Sequence, residues 1–270
     1  MKLAVLADVH ANWPALQAVA EDIERWQADR VVVAGDLINR GPRPVECADF
    51  VLAKKWPWVL GNHEEYVLSH VDGHVARSPQ ADSSLWTYDR LNGQVTTVAA
   101  LPLQESWHMP DGSEVRIVHA TMRSTREGIF VETPDDVLRE QIAPAPNLFV
   151  VGHTHIPVVR TIDETLVVNV GSAGLPFDGD HRVSYARLTW QQNRWTAEIV
   201  RLNYNRAQAE RDFEESGFIA QAGPLARLMR AELQQACSTL YDWTCDYAAA
   251  VEAGEISLEE SVARVLGQAM

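Results

Sequence analysis

Short apolar, β-branched runs punctuate the chain at Leu3–Ala7, Val31–Ala34, Trp58–Leu60, Val115–Val118, Leu148–Val151 and Leu166–Val170. Several are continuous rather than alternating, the pattern of strands covered on both faces. Between the first two runs, Leu16, Val19, Ala20, Ile23 and Trp26 recur at helical spacing. Asn12 suits the N-cap of that helix and Pro14 its first turn. Thr133-Pro134-Asp135-Asp136 predicts a second helix start, with Thr133 as cap and an acidic first turn. Two later strands are expected at Arg182–Trp190 and Arg194–Leu202, so residues 1–204 read as a mixed, layered α/β domain. Residues 64–101 interrupt the strands with helical text rich in His, Asp and Ser, an insertion or lid. From Asn205 the composition turns to Ala, Glu, Gln and Arg. Leu225, Leu228, Met229, Leu233, Ala236, Leu240 and Trp243 follow approximately one helix face. Ser257-Leu258-Glu259-Glu260 is a capping-box pattern opening a last helix with Leu258, Val262, Val265 and Leu266 inward. Residues 205–270 thus read as a helical C-terminal appendage.

Composition narrows the class without changing this outline. At 270 residues, 46% hydrophobic and 22% charged, the chain is an ordinary globular protein able to bury a real core. A formal net charge of −14 weighs against non-specific binding to nucleic acid or to anionic membranes. It leaves room for a phosphate substrate, because bound divalent ions invert the local field. The N-terminal apolar run is broken within a few residues by Asp8 and His10, which fails the signal-peptide and membrane-span templates and points to the cytoplasm. Cys47, Cys237 and Cys245 make no disulfide framework. They are expected as reduced core thiols; on one helix Cys237 and Cys245 would stand about 12 Å apart, too far for a bridge.

The candidate chemistry sits where the strand-like runs end. Asp8-Val9-His10 places two donors on alternate residues of an extended backbone, so both can reach one ion. Ala34-Gly35-Asp36 offers a carboxylate that can bridge two cations, beside a glycine permitting close backbone approach. Gly61-Asn62-His63 supplies a neutral amide oxygen and an imidazole that can face the substrate. His119 closes Val115–Val118, and Gly152-His153-Thr154-His155 carries two imidazoles after a buried run. Oxygen and imidazole donors without cysteine point to hard or borderline divalent cations, manganese or iron first, then zinc, magnesium or nickel. Seven candidate ligands (Asp8, His10, Asp36, Asn62, His119, His153 and His155) are too many for one open catalytic ion. They suit two ions and in-line displacement at phosphorus. Each block alone also has a structural reading as a turn or strand end. Arg40 is a candidate phosphate clamp or a surface ion pair. His70 and His74, four residues apart, are read as solvated helix positions rather than a third metal site. His108 and His181 are unassigned, and Trp56-Pro57-Trp58 reads as core.

In this order the blocks resemble those of the calcineurin-like metallophosphoesterase superfamily, over about residues 1–204. The resemblance implies a four-layer α-β-β-α sandwich with two facing mixed sheets and a dinuclear centre at the sheet edge. It also implies that Asp8, His10, Asp36 and His155 hold one ion, and Asp36, Asn62, His119 and His153 the other. Gly171-Ser172-Ala173-Gly174 with Asp178-Gly179-Asp180-His181-Arg182 resembles the bacterial and archaeal phosphodiesterase-like branch, its glycine-rich backbone lining the metal pocket. Gly35-Asp36-Leu37-Ile38-Asn39-Arg40-Gly41 with Gly61-Asn62-His63-Glu64 resembles protein phosphatases and dinucleoside tetraphosphate hydrolases instead, which carry Asp where this chain has Asn39. The expected activity is hydrolysis of a phosphodiester or phosphomonoester of a small soluble substrate, with hydroxide formed at the ions as nucleophile. His63 would stabilise or protonate the leaving oxygen. The alternatives are a phosphoprotein or dinucleoside polyphosphate hydrolase, and a scaffold that keeps the fold without turnover.

Overall fold

A computed structural model describes residues 1–71 and 81–267. The first half runs β1 (Lys2–Leu6), α1 (Trp13–Trp26), β2 (Arg30–Val33), α2 (Pro44–Lys54), α3 (Asn62–Leu68), α4 (Ala81–Leu91), α5 (Val95–Ala99), β3 (Gln104–His108) and β4 (Glu114–Val118). It continues with α6 (Asp135–Gln141), β5 (Leu148–Val151), β6 (Val158–Ile162), β7 (Thr165–Asn169), β8 (Val183–Gln191) and β9 (Arg194–Leu202). Helices α7 (Arg206–Glu215), α8 (Phe218–Gln221), α9 (Ala226–Gln235), α10 (Thr239–Glu252) and α11 (Leu258–Val265) complete the described chain.

Two mixed sheets form, ordered β2-β1-β8-β9 and β3-β4-β5-β7-β6. The continuous apolar runs divide their side chains between layers. Leu3 and Val5 of β1 meet Val115, Ile117, Leu148 and Val150 of the other sheet in one buried cluster. Ala4 and Leu6, pointing the opposite way, pack with Leu16, Val19 and Ile23 of α1 and Val51 of α2. On the far side Phe149 and Val151 pack against Leu138 of α6 and Ile142. The result is the α-β-β-α sandwich. The parallel pairs β1–β2 and β4–β5–β7 bring the C-terminal ends of five strands to one edge.

Several local expectations hold. The Asn12 side chain accepts from the Ala15 N–H at 3.2 Å and caps α1. Ser257 likewise accepts from the Glu260 N–H at 3.1 Å and caps α11. Others need correction. Trp58–Leu60 is not a strand: it makes a single parallel bridge, with the Val33 N–H on the Pro57 carbonyl and the Val59 N–H on the Val33 carbonyl. Proline at 57 has no N–H with which to continue a ladder. Thr133 does not cap α6; its hydroxyl instead accepts from the Phe130 N–H at 2.9 Å and closes the preceding turn. The apolar stripe from Leu225 to Trp243 is split between α9 and α10, with Ala236 left-handed at φ 52° between them. Cys47 alone of the three thiols is a core residue; Cys245 is exposed. His70 is buried, bonded through Nε2 to the Ser84 hydroxyl at 2.8 Å, rather than solvated. His74 lies outside the described residues.

Trp86 of α4 shares one apolar cluster with Phe213, Phe218, Leu228, Met229 and Trp243. The helices of residues 205–270 therefore rest on the helical stretch that follows α3.

Candidate metal centre

The loops leaving β1 and β2 are laced together beyond the last strand pair. The Asp8, His10 and Ala11 N–H groups donate to the carbonyls of Gly35, Asp36 and Leu37 at 3.1, 3.0 and 2.9 Å. The loop after β5 follows β4 in the same way, with the Gly152 N–H on the His119 carbonyl at 2.9 Å. This lacing forces an unusual backbone: Asp8, His10, Asp36, His153 and His155 all have φ between 48° and 72°. Left-handed backbone in non-glycine residues costs energy and concentrates at functional sites. Gly35, at φ 85°, has no alternative, since a Cβ there would lie 2.6 Å from His119 Nδ1.

All seven candidate ligands are gathered at this edge, and their outer atoms are fixed by partners. Asp8 Oδ2 accepts from the His153 N–H at 2.8 Å, while its Oδ1 is buried with no hydrogen-bond partner. Asp36 Oδ1 accepts from the His63 N–H at 2.9 Å, leaving Oδ2 3.8 Å from His10 Nε2 and 3.3 Å from His119 Nε2. Three imidazoles are anchored alike through Nδ1 to a backbone carbonyl: His10 to Asn39 at 3.3 Å, His119 to Ala34 at 2.9 Å, and His155 to Leu175. An Nδ1–H given to a carbonyl leaves the Nε2 lone pair as the inward atom, the tautomer of a metal ligand.

Those lone pairs face one another. His10 and His155 oppose Nε2 to Nε2 at 3.1 Å, and Asn62 Oδ1 lies 2.9 Å from His119 Nε2 and 3.0 Å from His153 Nδ1. Acceptors crowded this way beside two buried carboxylates require positive charge between them. Two triads have their donor atoms within 4.8 Å of one another, Asp8–His10–His155 and Asp36–His119–His153. Asp36 also groups with His10 and His63, which puts it between the triads. Burial opposes charge on His119, but the Asp36 carboxylate outweighs it and raises its pKa to about 10, so a proton and a cation compete for the same inward Nε2 lone pair. Burial, helped by His119, lowers His153 to about 4, so this imidazole offers a lone pair. The residues therefore fit a pair of divalent cations.

Glu64 was visible in the sequence only as part of a motif; its work is structural. Fully buried, it accepts backbone N–H bonds from Asp36 at 2.8 Å, Leu37 at 3.0 Å, Ile38 at 3.3 Å and Gly61 at 2.9 Å. One side chain at the start of α3 thus shapes the loops carrying Asp36 and Asn62. Ser172 does similar service, donating to the Asp8 carbonyl at 2.7 Å and accepting from the Leu175 N–H at 2.6 Å. The Asp178–Arg182 segment instead makes surface ion pairs, Asp180 with Arg182 and Asp178 with Arg201.

His63 and Arg40 line the adjoining cleft. The Arg40 N–H donates to Asn39 Oδ1 at 2.9 Å, which orients that amide. Asn39 Nδ2 then donates to His63 Nδ1 at 3.1 Å, leaving the imidazole's own hydrogen on Nε2. Burial lowers the His63 pKa to about 3. Arg40 is not a free clamp, because its guanidinium is 2.5 Å from the buried Glu232 of α9. Neither Glu232 nor Phe177, which stacks on His155 at 4.1 Å, carried any local signal in the sequence.

A model of the calcineurin-like phosphoesterase superfamily domain matches residues 1–193. The chain is 28% identical to the uncharacterized protein MJ0912 of Methanocaldococcus jannaschii, over 77% of this chain and 89% of that one. It is 26% identical to phosphodiesterase YfcE of Escherichia coli, over 70% and 87%. The crystal structure of a metallophosphoesterase from Sphaerobacter thermophilus superposes with a TM-score of 0.67 at 27% identity, covering 87% of this chain and 100% of that one. The family model spans both triads and the loops that hold them, so the chain belongs to the calcineurin-like phosphoesterase superfamily, in its bacterial and archaeal phosphodiesterase-like branch.

Proposed function

We propose that this protein hydrolyses a phosphodiester or phosphomonoester of a small soluble substrate, with two divalent ions held by Asp8, His10, Asp36, Asn62, His119, His153 and His155. The observation that carries this reading is the tautomer lock: three imidazoles give Nδ1–H to backbone carbonyls and turn Nε2 toward two buried carboxylates. Divalent ions in such a pair act as Lewis acids on phosphate oxygens and acidify water toward neutrality. In this reading Asp8, His10 and His155 hold one ion, Asn62, His119 and His153 the other, and Asp36 is shared.

The role of His63 follows from its hydrogen bonds. With Nδ1 occupied by the Asn39 amide, its remaining hydrogen is on Nε2, where it can be donated to the leaving oxygen. Full protonation would set an Nδ1–H against the Asn39 amide hydrogens, and burial opposes it as well. His63 therefore stabilises developing negative charge, and His63→Ala should lower kcat by about 10²–10³. Metal content measured by elemental analysis should stay at the wild-type level. The loss should shrink for nitrophenolate, a leaving group already able to carry charge. Loss of an ion from the variant would make His63 a ligand and refute its assignment. A manganese-loaded wild type inert toward bis(4-nitrophenyl) phosphate and 4-nitrophenyl phosphate alike would favour the scaffold.

A further inference from the structure

The metal centre opens into a cleft of about 950 Å³. A phosphate group fills little of that; a space this size suits a ligand with a sizeable organic body. Its outer wall is aromatic and comes from three separate stretches: Tyr66 of α3, Phe130 of the loop before α6, and Tyr241 of α10. These side chains are 45%, 43% and 68% exposed; the Arg126 guanidinium lies over the Tyr66 ring at 5.1 Å, so Phe130 and Tyr241 offer the freer surfaces to a ligand. Ile156, Met229 and Leu240 extend the apolar lining.

Charge in the cleft points to the phosphate's state. Among the described residues only two arginines line it, and each already has a carboxylate: Arg40 with Glu232 at 2.5 Å and Arg126 with Glu65. Neither pair leaves a net positive side chain to add to the charge of the bound ions for a dianionic monoester or a polyphosphate tail. A monoanionic diester makes no such demand, and its second ester oxygen can carry a group into the aromatic wall.

We propose that the substrate is a small monoanionic phosphodiester bearing a planar aromatic group, which packs among Tyr66, Phe130 and Tyr241. This narrows the phosphoesterase reading above and rests on it for the position of the phosphate. Flat rings supply large contact area and prefer offset or edge-on neighbours, which three exposed aromatic side chains provide. The hydroxyl oxygens of Ser238 and Thr244, whose hydrogens go to Glu232 and the Leu240 carbonyl, can still accept from a heteroaromatic ring.

Calorimetric titration of the manganese-loaded protein with diphenyl phosphate and with dimethyl phosphate tests the site without needing turnover. Diphenyl phosphate should bind at least about tenfold more tightly, the yield of burying one aromatic group. Phe130→Ala and Tyr241→Ala, both at exposed positions, should each bring the two affinities closer together, whereas Tyr241→Phe should keep the preference. Equal affinities in the wild type, or a preference untouched by both alanine variants, would overturn the proposal. Turnover of bis(4-nitrophenyl) phosphate against 4-nitrophenyl thymidine 5′-phosphate then tells an aryl group from a nucleobase by KM. Retained binding preference with no turnover of any ester would sink the phosphoesterase reading and leave the aromatic wall as a binding site only.

Discussion

In the proposed centre, Asp36 is the residue that both halves share. One of its oxygens is spent on the His63 N–H; the other lies between His10 and His119. An amide at that position keeps the shape but offers a single carbonyl oxygen and no charge. Asp36→Asn should therefore lower metal content from two ions per chain to one or fewer. Since altering even the partners of metal ligands costs 10–100-fold in affinity or activity, the loss of activity should be at least about 100-fold. Elemental analysis alongside the esterase assay checks this, and unchanged metal content would show that Asp36 bridges nothing.

At the scale of elements, the site is an assembly of loop ends rather than of strands. The sheets place those ends side by side, but Glu64 holds their shape by accepting four N–H groups from the loop after β2 and the turn before α3. Glu64→Gln keeps the volume and turns one oxygen into a donor that faces donors. Leaving a buried hydrogen-bonding group without its partner costs about 1–3 kcal/mol. Thermal unfolding of the variant should show a loss of about that size or more, with metal affinity falling in parallel. A variant as stable as the wild type would mean that the loops keep their shape without this carboxylate.

At the scale of the whole molecule, a buried ion pair ties the C-terminal helices to the site. Arg40 and Glu232 are 192 residues apart, with side chains 10% and 0% exposed. Glu232 also accepts the Leu240 N–H at 3.0 Å, linking α9 to the start of α10 beside Tyr241. Removing one partner of a buried pair strands a charge and costs about 3–5 kcal/mol. Glu232→Gln should lower stability by roughly that amount and free Arg40 for the cleft. Turnover of 4-nitrophenyl phosphate, a dianion, should then rise relative to bis(4-nitrophenyl) phosphate. Arg40→Met combined with Glu232→Met should recover much of the stability. A Glu232→Gln variant with both stability and substrate ratio unchanged would show that the pair governs neither.

The periodic information in the chain determined β1, β2, β4, β5, β7, β8 and β9, helix α1 and the layered class, because apolar runs and helical spacing report burial residue by residue. The edge strands β3 and β6 carried no such run, and the run Trp58–Leu60 made no strand. The gathering of the candidate ligands was also legible, since donors placed straight after such runs end at one sheet edge. Tertiary structure alone decided what those residues face. Which nitrogen of His10, His119 and His155 points inward depends on carbonyls distant in sequence. Arg40 reads equally as a phosphate clamp or a surface ion pair until α9 brings the buried Glu232 to it, and Phe130 and Tyr241 carry no signal until folding sets them around one cleft. Local patterns encode how much of a residue is covered; they do not encode which partner does the covering, because that is set by contacts between segments far apart along the chain.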